Sequence, residues 1–566
     1  MKKIFYLLSL AAVLAASCQK PEYIEPTAER QGITSLTAYF TMGKFVDKEL
    51  AKLVIDNPDI DRYVIPVPWF YPEESEDGTT LHMTKARVRA ELAPNCKIEP
   101  ALTILDLTQE NKFTYTNAQG ESRDIIITGI RKKSSKANAM SFTLMEPYPV
   151  EGFVNDEKGE IYLFTTDDLS GFTASAVPCA HATVKTDLSQ PKNYNEPQTV
   201  TLIAHDGTER TYDILKKYPS KIPYGFRDGS VRQLFNIDPV TRLGFPGHKT
   251  EVYPSLASVG GKFVVALGYG HVPVYLNGLT GVKEGVVNVG SAVADAVSND
   301  QGGNLLYITN APASEKCMIY RTKSVTEAPV LFHSFDNETD VAVGHHVRVH
   351  GNIDTDAVIL LSHEGVSGIT ETSKITRIVI KGGVVASTEV LDLSSLGLSW
   401  GETSYWGVKA VPVSTNPADG LMLSYYTPNI LSYVNGNMKI AAQLDMATLG
   451  ASGNFGTNCL DAKTYNNALY LVSLISGHFP QWGAGPMLNI FDIGAPTSIK
   501  DGKPIVTTNT KGAEIEWFQK ADQGVSAADV VMAPSADGFK VFIYYYDHNC
   551  GVIGGYSADC IDMRAV

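Results

Sequence analysis

Six times after residue 255, a turn rich in glycine, aspartate or asparagine runs straight into a continuous apolar segment. The turns read GGK, DQGGN, DTDA, PADG, YNNA and SADG, and the segments they open begin at Phe263, Leu305, Val358, Leu421, Leu469 and Lys540. Small and Asx residues tolerate the φ values that a tight reversal needs. A run that is apolar at every position suits a strand covered on both faces. A third strand follows each run, starting near His271, Lys316, Lys374, Asn429, Met487 and Cys550. Each unit therefore reads as inner strand, tight turn, second strand, variable loop and third strand. Units of this kind repeated around an axis make four-stranded blades. The pattern predicts an all-β body over residues 230–566, a six-bladed β-propeller with seven blades as the other count. Ser230 to Ile237 supplies the strand that closes the ring. A long irregular sandwich is the alternative fold.

Antiparallel succession sends alternate loops to opposite ends of such a disc. Tight turns share one end, expected to be featureless. The loops into inner strands and between second and third strands share the other, here called the loop side. That side collects aromatic, His, Asn and acidic residues: Tyr269 and His271, His363 and Glu364, Tyr425 and Tyr426, His478 and Trp482, Asp547 and His548. WGETSYWG, Trp400 to Gly407, adds Trp400, Tyr405 and Trp406 at the approach to an inner strand. Flat rings with a polar edge can stack on the C–H face of a sugar while acids, amides and imidazoles bind hydroxyls. These twelve residues other than Glu364 form the candidate ligand set. Trp400 and Trp482, flanked by Gly, Ser, Gln and Pro, are expected to be exposed. Trp406 fits a ligand platform and a core position between blades equally well.

Two shorter repeats precede this body. Lys112-FTYTNAQGESRDIIITG and Gln198-TVTLIAHDGTERTYDILKK align at Thr114 with Thr201, Gly120 with Gly207 and Arg123 with Arg210. Each is an alternating strand, a glycine turn and a second alternating strand, which is a β-hairpin. The pair resembles the tandem immunoglobulin-like modules of Bacteroidota surface lipoproteins, including families of unknown function found beside starch-utilisation-type systems. The resemblance implies two Ig-like β-sandwich modules, residues 32–136 and 137–222, acting as spacers or binding glycan. Trp69, among alternating prolines, is expected on a strand edge or loop, packed in a core or open to ligand. The stretch Asp47 to Asp56, DKELAKLVID, is the best short candidate for a helix in a chain with no long amphipathic one.

The N-terminus gives an address. Lys2 and Lys3 precede an uncharged apolar segment, Ile4 to Ala16, too short to span a bilayer and followed by small residues. Leu14-Ala15-Ala16-Ser17-Cys18 resembles a lipobox, which implies a signal peptide over 1–17, acylation of Cys18 and a tether over 18–31. Gln19-Lys20-Pro21-Glu22 resembles the tether of Bacteroidota lipoproteins sent to the cell surface. The expected place is the outer membrane, lipid-anchored and facing outside. Loss of residues 1–17 removes two lysines and no acid, so the net charge of −14 becomes −16. An acidic chain without a basic cluster disfavours nucleic acid as a partner. The other cysteines, at 96, 179, 317, 459, 550 and 560, form no CxxC pair. Cys550 and Cys560 are near enough to pair, and separate buried thiols fit as well.

No GxSxG, HExxH, P-loop or strand-linked GxGxxG occurs. In GHHVRVHG, Gly344 to Gly351, His346, Arg348 and His350 alternate onto one face of a strand. Histidines so spaced on a strand lie too far apart to chelate one ion easily, and an arginine between them repels a cation. A polar lining of the central channel is expected instead, with no metal or other cofactor. The reading with the widest support is a non-catalytic lipoprotein that captures extracellular polysaccharide or oligosaccharide, alongside a starch-utilisation-type transporter. A glycan hydrolase or lyase using Glu364, Glu402, Asp547 or Glu516, and a protein-binding outer-membrane scaffold, are the alternatives.

Overall fold

The computed structural model describes residues 32–57, 59–268, 270–365, 371–401, 408–425, 430–449, 456–477, 487–509 and 527–564. Among them the chain is all-β, built from a sandwich, a curled sheet and a propeller-like body. The first unit packs two four-stranded sheets around one core in which Tyr63, Ile65, Val88, Ile125 and Ile127 are buried. Its helix expectation fails. Glu49–Val54 is a strand, paired antiparallel with Ile33–Tyr39 from Ser35↔Val54 to Tyr39↔Glu49. An isolated helix of this length is marginal, whereas the neighbouring strand supplies a ladder and a buried face for Leu50 and Ala51.

The second unit differs from the expected sandwich. Its seven strands form a single sheet that runs from Ala174–Pro178 through Glu160–Phe164 and Glu209–Lys217 to Thr183–Val184, curled until its two end strands meet. The repeated hairpins are real in both units. Asn111–Thr116 pairs with Ser122–Lys132, and Gln198–Ile203 with Glu209–Lys217. Each hairpin's second strand also takes a parallel partner, Arg62–Pro68 in one unit and Glu160–Phe164 in the other. The sequence repeat is therefore a repeat of topology.

From residue 232 onward, the described residues form six four-stranded antiparallel sheets. Their first strands are Ser255–Val259, Ala296–Asn299, Ala342–Gly351, Lys409–Pro412, Gly456–Tyr465 and Ala528–Pro534. Each contacts the next, and the last contacts the first, so they surround a common axis. Arg232–Ile237 is the outer strand of the last sheet, hydrogen-bonded to Val552–Asp559. The chain is thus clasped at its ends, since the first strand of this body completes the sheet made by the last. All six cysteines outside the N-terminal segment are free thiols, Cys550 and Cys560 included.

The axis is filled by charge. Arg348 is fully buried, as are Asp461, Lys463 and Asp529. From the third sheet, Arg348 crosses to the fifth and sixth. Its Nε donates to Leu460 O at 3.0 Å, and its Nη2 donates to Val530 O at 2.8 Å and to the Asp529 carboxylate. Asp529 in turn accepts the Leu256 N–H of the first sheet at 2.9 Å. Asp461 accepts Met532 N–H at 2.8 Å and Lys463 Nζ at 3.1 Å, and that ammonium also donates to Val349 O. Removing one member of a buried pair strands the other without solvent. Asp529→Asn is therefore expected to cost about 3–5 kcal/mol of stability. Urea denaturation followed by tryptophan fluorescence measures it, and a loss within ordinary surface-substitution range would refute the role given to this pair.

Candidate functional site

The first sheet-three strand opens at the loop side with Gly344 and His345, where φ at Gly344 is 116°. That conformation suits glycine, and the ladder register to the second strand shifts between Val343 and Val347. Strand alternation puts His345 on the face opposite the axis-facing row of His346, Arg348 and His350. Its ring stacks on Tyr253 at a centroid distance of 4.3 Å and 19° between planes. Its Nδ1 contacts the Glu364 carboxylate, at the end of the second strand Ala357–Glu364. Burial disfavours the imidazolium, but Glu364 and Asp295 outweigh it, so His345 titrates above its ordinary value. Lys409, buried at the start of the next inner strand, is a further charge near this pair. The result is an aromatic and charged group beneath the loop-side mouth, in which His345 and Asp295 are partly exposed and Tyr253, Glu364 and Lys409 are buried.

Several residues expected to bind ligand are structural instead. Trp400 is only 2% exposed, a correction to its expected exposure. Its backbone bridges Thr372 in both directions at 2.8 Å, its Nε1 donates to His363 O at 2.8 Å, and its ring packs 5.7 Å from that of buried Tyr425. Trp400 and Tyr425 lie in one apolar cluster with Leu391, Leu393 and Leu423, so neither ring is open to a ligand. His363 is buried, with hydrogen bonds to Thr339 Oγ1 at 3.0 Å and Thr376 Oγ1 at 2.7 Å. His548 is buried too. Its Nε2 donates to Thr250 O at 2.8 Å, so Nδ1 accepts the Tyr546 hydroxyl at 2.8 Å. Asp547 is fully buried; its Oδ1 accepts Cys550 N–H, and burial raises its pKa. Of the described candidates only His271 is exposed. Tyr269, Tyr405, Trp406, Tyr426, His478 and Trp482 lie outside the described residues, as do Cys18, Glu402 and Glu516.

Sequence reasoning missed Tyr253, His345's partnership with Glu364, and Lys409. The pairing His345–Glu364 was legible in principle, since both flank one predicted hairpin. The tight-turn side is also not featureless. A cavity of about 560 Å³ opens there among the turns at Gly260–Gly261 and Gly302–Gly303, with Gln301, Phe542 and Asp537 on its walls. Among the described residues, no cluster of His, Cys, Asp and Glu is arranged to hold a metal ion, and no helix is long and apolar enough to cross a membrane.

The chain belongs to a family of domains of unknown function, DUF8500, whose family model matches residues 233–559. Two further domains of unknown function match upstream, DUF5018 over 13–129 and DUF8499 over 140–216. Among solved structures, a DUF4623 family protein from Bacteroides eggerthii DSM 20697 is similar over 76% of this chain and 100% of its own, at 13% identity and a TM-score of 0.43. A streptogramin B lyase is similar over 58% of this chain and 96% of its own, at 11% identity and a TM-score of 0.29. A gluconolactonase from Xanthomonas campestris covers 60% of this chain and 98% of its own, at 10% identity and a TM-score of 0.31. No curated protein matches the chain.

Burial pushes His350, His363 and His548 down to about 4 each. A depressed histidine favours the neutral form in the fold. Its stabilising effect is complete above the unfolded value near 6.5 and is lost as pH falls towards 4. Thermal unfolding between pH 7 and pH 4 should therefore show stability dropping across that window, by on the order of 3 kcal/mol per histidine. His548→Asn should flatten the slope, and a pH-independent melting temperature would contradict these burials. His345 runs the other way: its raised value favours the fold at low pH and fades as pH rises through it.

Proposed function

We propose that this protein is a non-catalytic lipoprotein of the outer membrane that captures extracellular glycan on the loop side of a six-bladed propeller. The carrying observation is the loop-side group in which partly exposed His345 rests on buried Tyr253, Glu364 and Lys409. It combines a flat ring with a carboxylate and cations, the mixture that sugar recognition uses. The chain segments that join strand ends on this side also carry Tyr405, Trp406, Tyr426, His478 and Trp482. In this reading each four-stranded sheet is a blade. The first two units hold the propeller off the membrane, where acylated Cys18 anchors the chain. The lipobox-like sequence supports that anchor, and a starch-utilisation-type transporter is the partner that the tether resemblance favours.

One observation favours a second reading. The His345–Glu364 contact is a recessed imidazole–carboxylate pair, the kind of couple that moves protons in a glycan hydrolase or lyase.

Affinity electrophoresis against a polysaccharide panel separates the readings. His345→Ala, Trp406→Ala and Trp482→Ala are each expected to weaken retention by about tenfold, with no product released by the parent protein. Unchanged retention in all three variants would remove the binding reading. Product release abolished by Glu364→Gln would establish the enzyme.

A further inference from the structure

A second cavity lies away from the propeller-like body, between the first and second units. It encloses about 300 Å³, the lower end of what a small-molecule site occupies. Trp69, Phe70 and Tyr71 form its apolar wall from the first unit, and His181 and His205 close it from the second. Phe70 stacks on His181 at 4.1 Å between centroids, and His181 Nε2 bonds Ser75 O at 3.0 Å. These contacts hold the two units together around the cleft. His205 meets Trp69 edge-on at 5.6 Å.

The charge around this wall is unusual for the chain. Arg131, Lys132 and Lys133 follow one another in a protein whose net charge is −14. The Arg131 guanidinium sits 3.7 Å over the Trp69 ring, Lys133 Nζ is 5.3 Å from the same centroid, and Lys132 lines the cavity. Among the described residues neither lysine is in a salt bridge, and both are exposed. The carboxylate that lines the cavity, Glu73, is already held by Ser134 Oγ and Lys136 Nζ, both at 2.6 Å. Besides partial burial, Lys133, His181 and Arg131 hold His205 below its ordinary value, outweighing the opposing charge of Asp206. An apolar aromatic wall with exposed cations at its rim suits a ring that carries negative charge.

We propose that the cleft between the first two units is a ligand site for a six-membered ring bearing a carboxylate. A uronic acid residue of an acidic glycan is one source of that chemistry, and a free aromatic acid is the other. The ring would lie against Trp69, Phe70 and Tyr71, and its carboxylate would face Lys132 and Lys133. This site stands apart from the loop-side reading and does not depend on it.

Calorimetry on the full chain at low ionic strength tests the proposal with three probes: trigalacturonate, neutral galactotriose and benzoate. Binding by trigalacturonate identifies the glycan source, and binding by benzoate alone the free acid. In either case the combined Lys132→Gln and Lys133→Gln variant is expected to weaken binding about tenfold, and added salt to weaken it further. Trp69→Ala is expected to do the same. Because that change could loosen the contact between units, the surface lysine variant decides. Trp406→Ala leaves this binding unchanged, which separates it from capture on the loop side. No binding by either acidic probe, equal binding by galactotriose, or full affinity in the lysine variant would overturn the proposal.

Discussion

The propeller-like body depends on one arginine. Arg348 leaves the third sheet, crosses the axis, and takes oxygens from the fifth and sixth. Through Asp529 it also reaches the first. A guanidinium can do this because its fixed fork of donors serves several acceptors at once. Lysine could reach only as a point charge. The position is costly, since burying an ion forfeits its hydration. It is sustained because each donor named here faces a carbonyl or a carboxylate. Sheets that are far apart in sequence, such as those at residues 342–392 and 528–559, are tied at their innermost strands. The clasp of Arg232–Ile237 onto Val552–Asp559 ties the last sheet at its outer edge.

A filled axis decides where chemistry can take place. A ligand cannot occupy the middle of the ring, where Arg348, Asp461, Lys463 and Asp529 are fully buried. What is left are the two mouths and the clefts outside the ring. At the loop-side mouth, strand alternation puts His345 opposite the axial row, where it meets Tyr253 and Glu364. The two faces of one strand therefore separate the residues that hold the ring together from His345. His346 and His350 stay in the row and are buried, and His350 is hydrogen-bonded to Ala462 O and Thr464 Oγ1.

The second and third strands of all six sheets were legible in the sequence, because strands buried on both faces read as unbroken apolar runs and the turns before them need Gly, Asp or Asn. The repeated hairpins were legible for the same reason. Trp400 was misread because its neighbours in sequence, Ser399 and Gly401, are small and polar. Its real surroundings come from Thr372, His363 and Tyr425, which no local pattern reveals. His363 and His548 misled in the same way: their partners Thr339, Thr376 and Thr250 come from other strands and loops. Asp47 to Asp56 has the composition of a short helix, but the partner strand outweighs its propensity. Sequence periodicity reports which face is covered. It does not report what covers it.

The cleft between the first two units shows the same lesson with the opposite sign. Trp69 sits among prolines at the end of Arg62–Pro68, where a ladder is ending and a ring is free to lean outward. Arg131 and Lys132 end the parallel partner strand, Ser122–Lys132, so the register Val67↔Arg131 and Pro68↔Lys132 delivers the cations beside the aromatic run. Three adjacent cations in an acidic chain repel one another, and a fold gains nothing from leaving two of them exposed without a salt bridge. Arg131 has a structural explanation in Trp69, Thr80 and the Trp69 carbonyl. Lys133 leans on the same Trp69 ring and Lys132 lies near Asp206, but neither is in a salt bridge among the described residues, and a carboxylate arriving from solution would supply one.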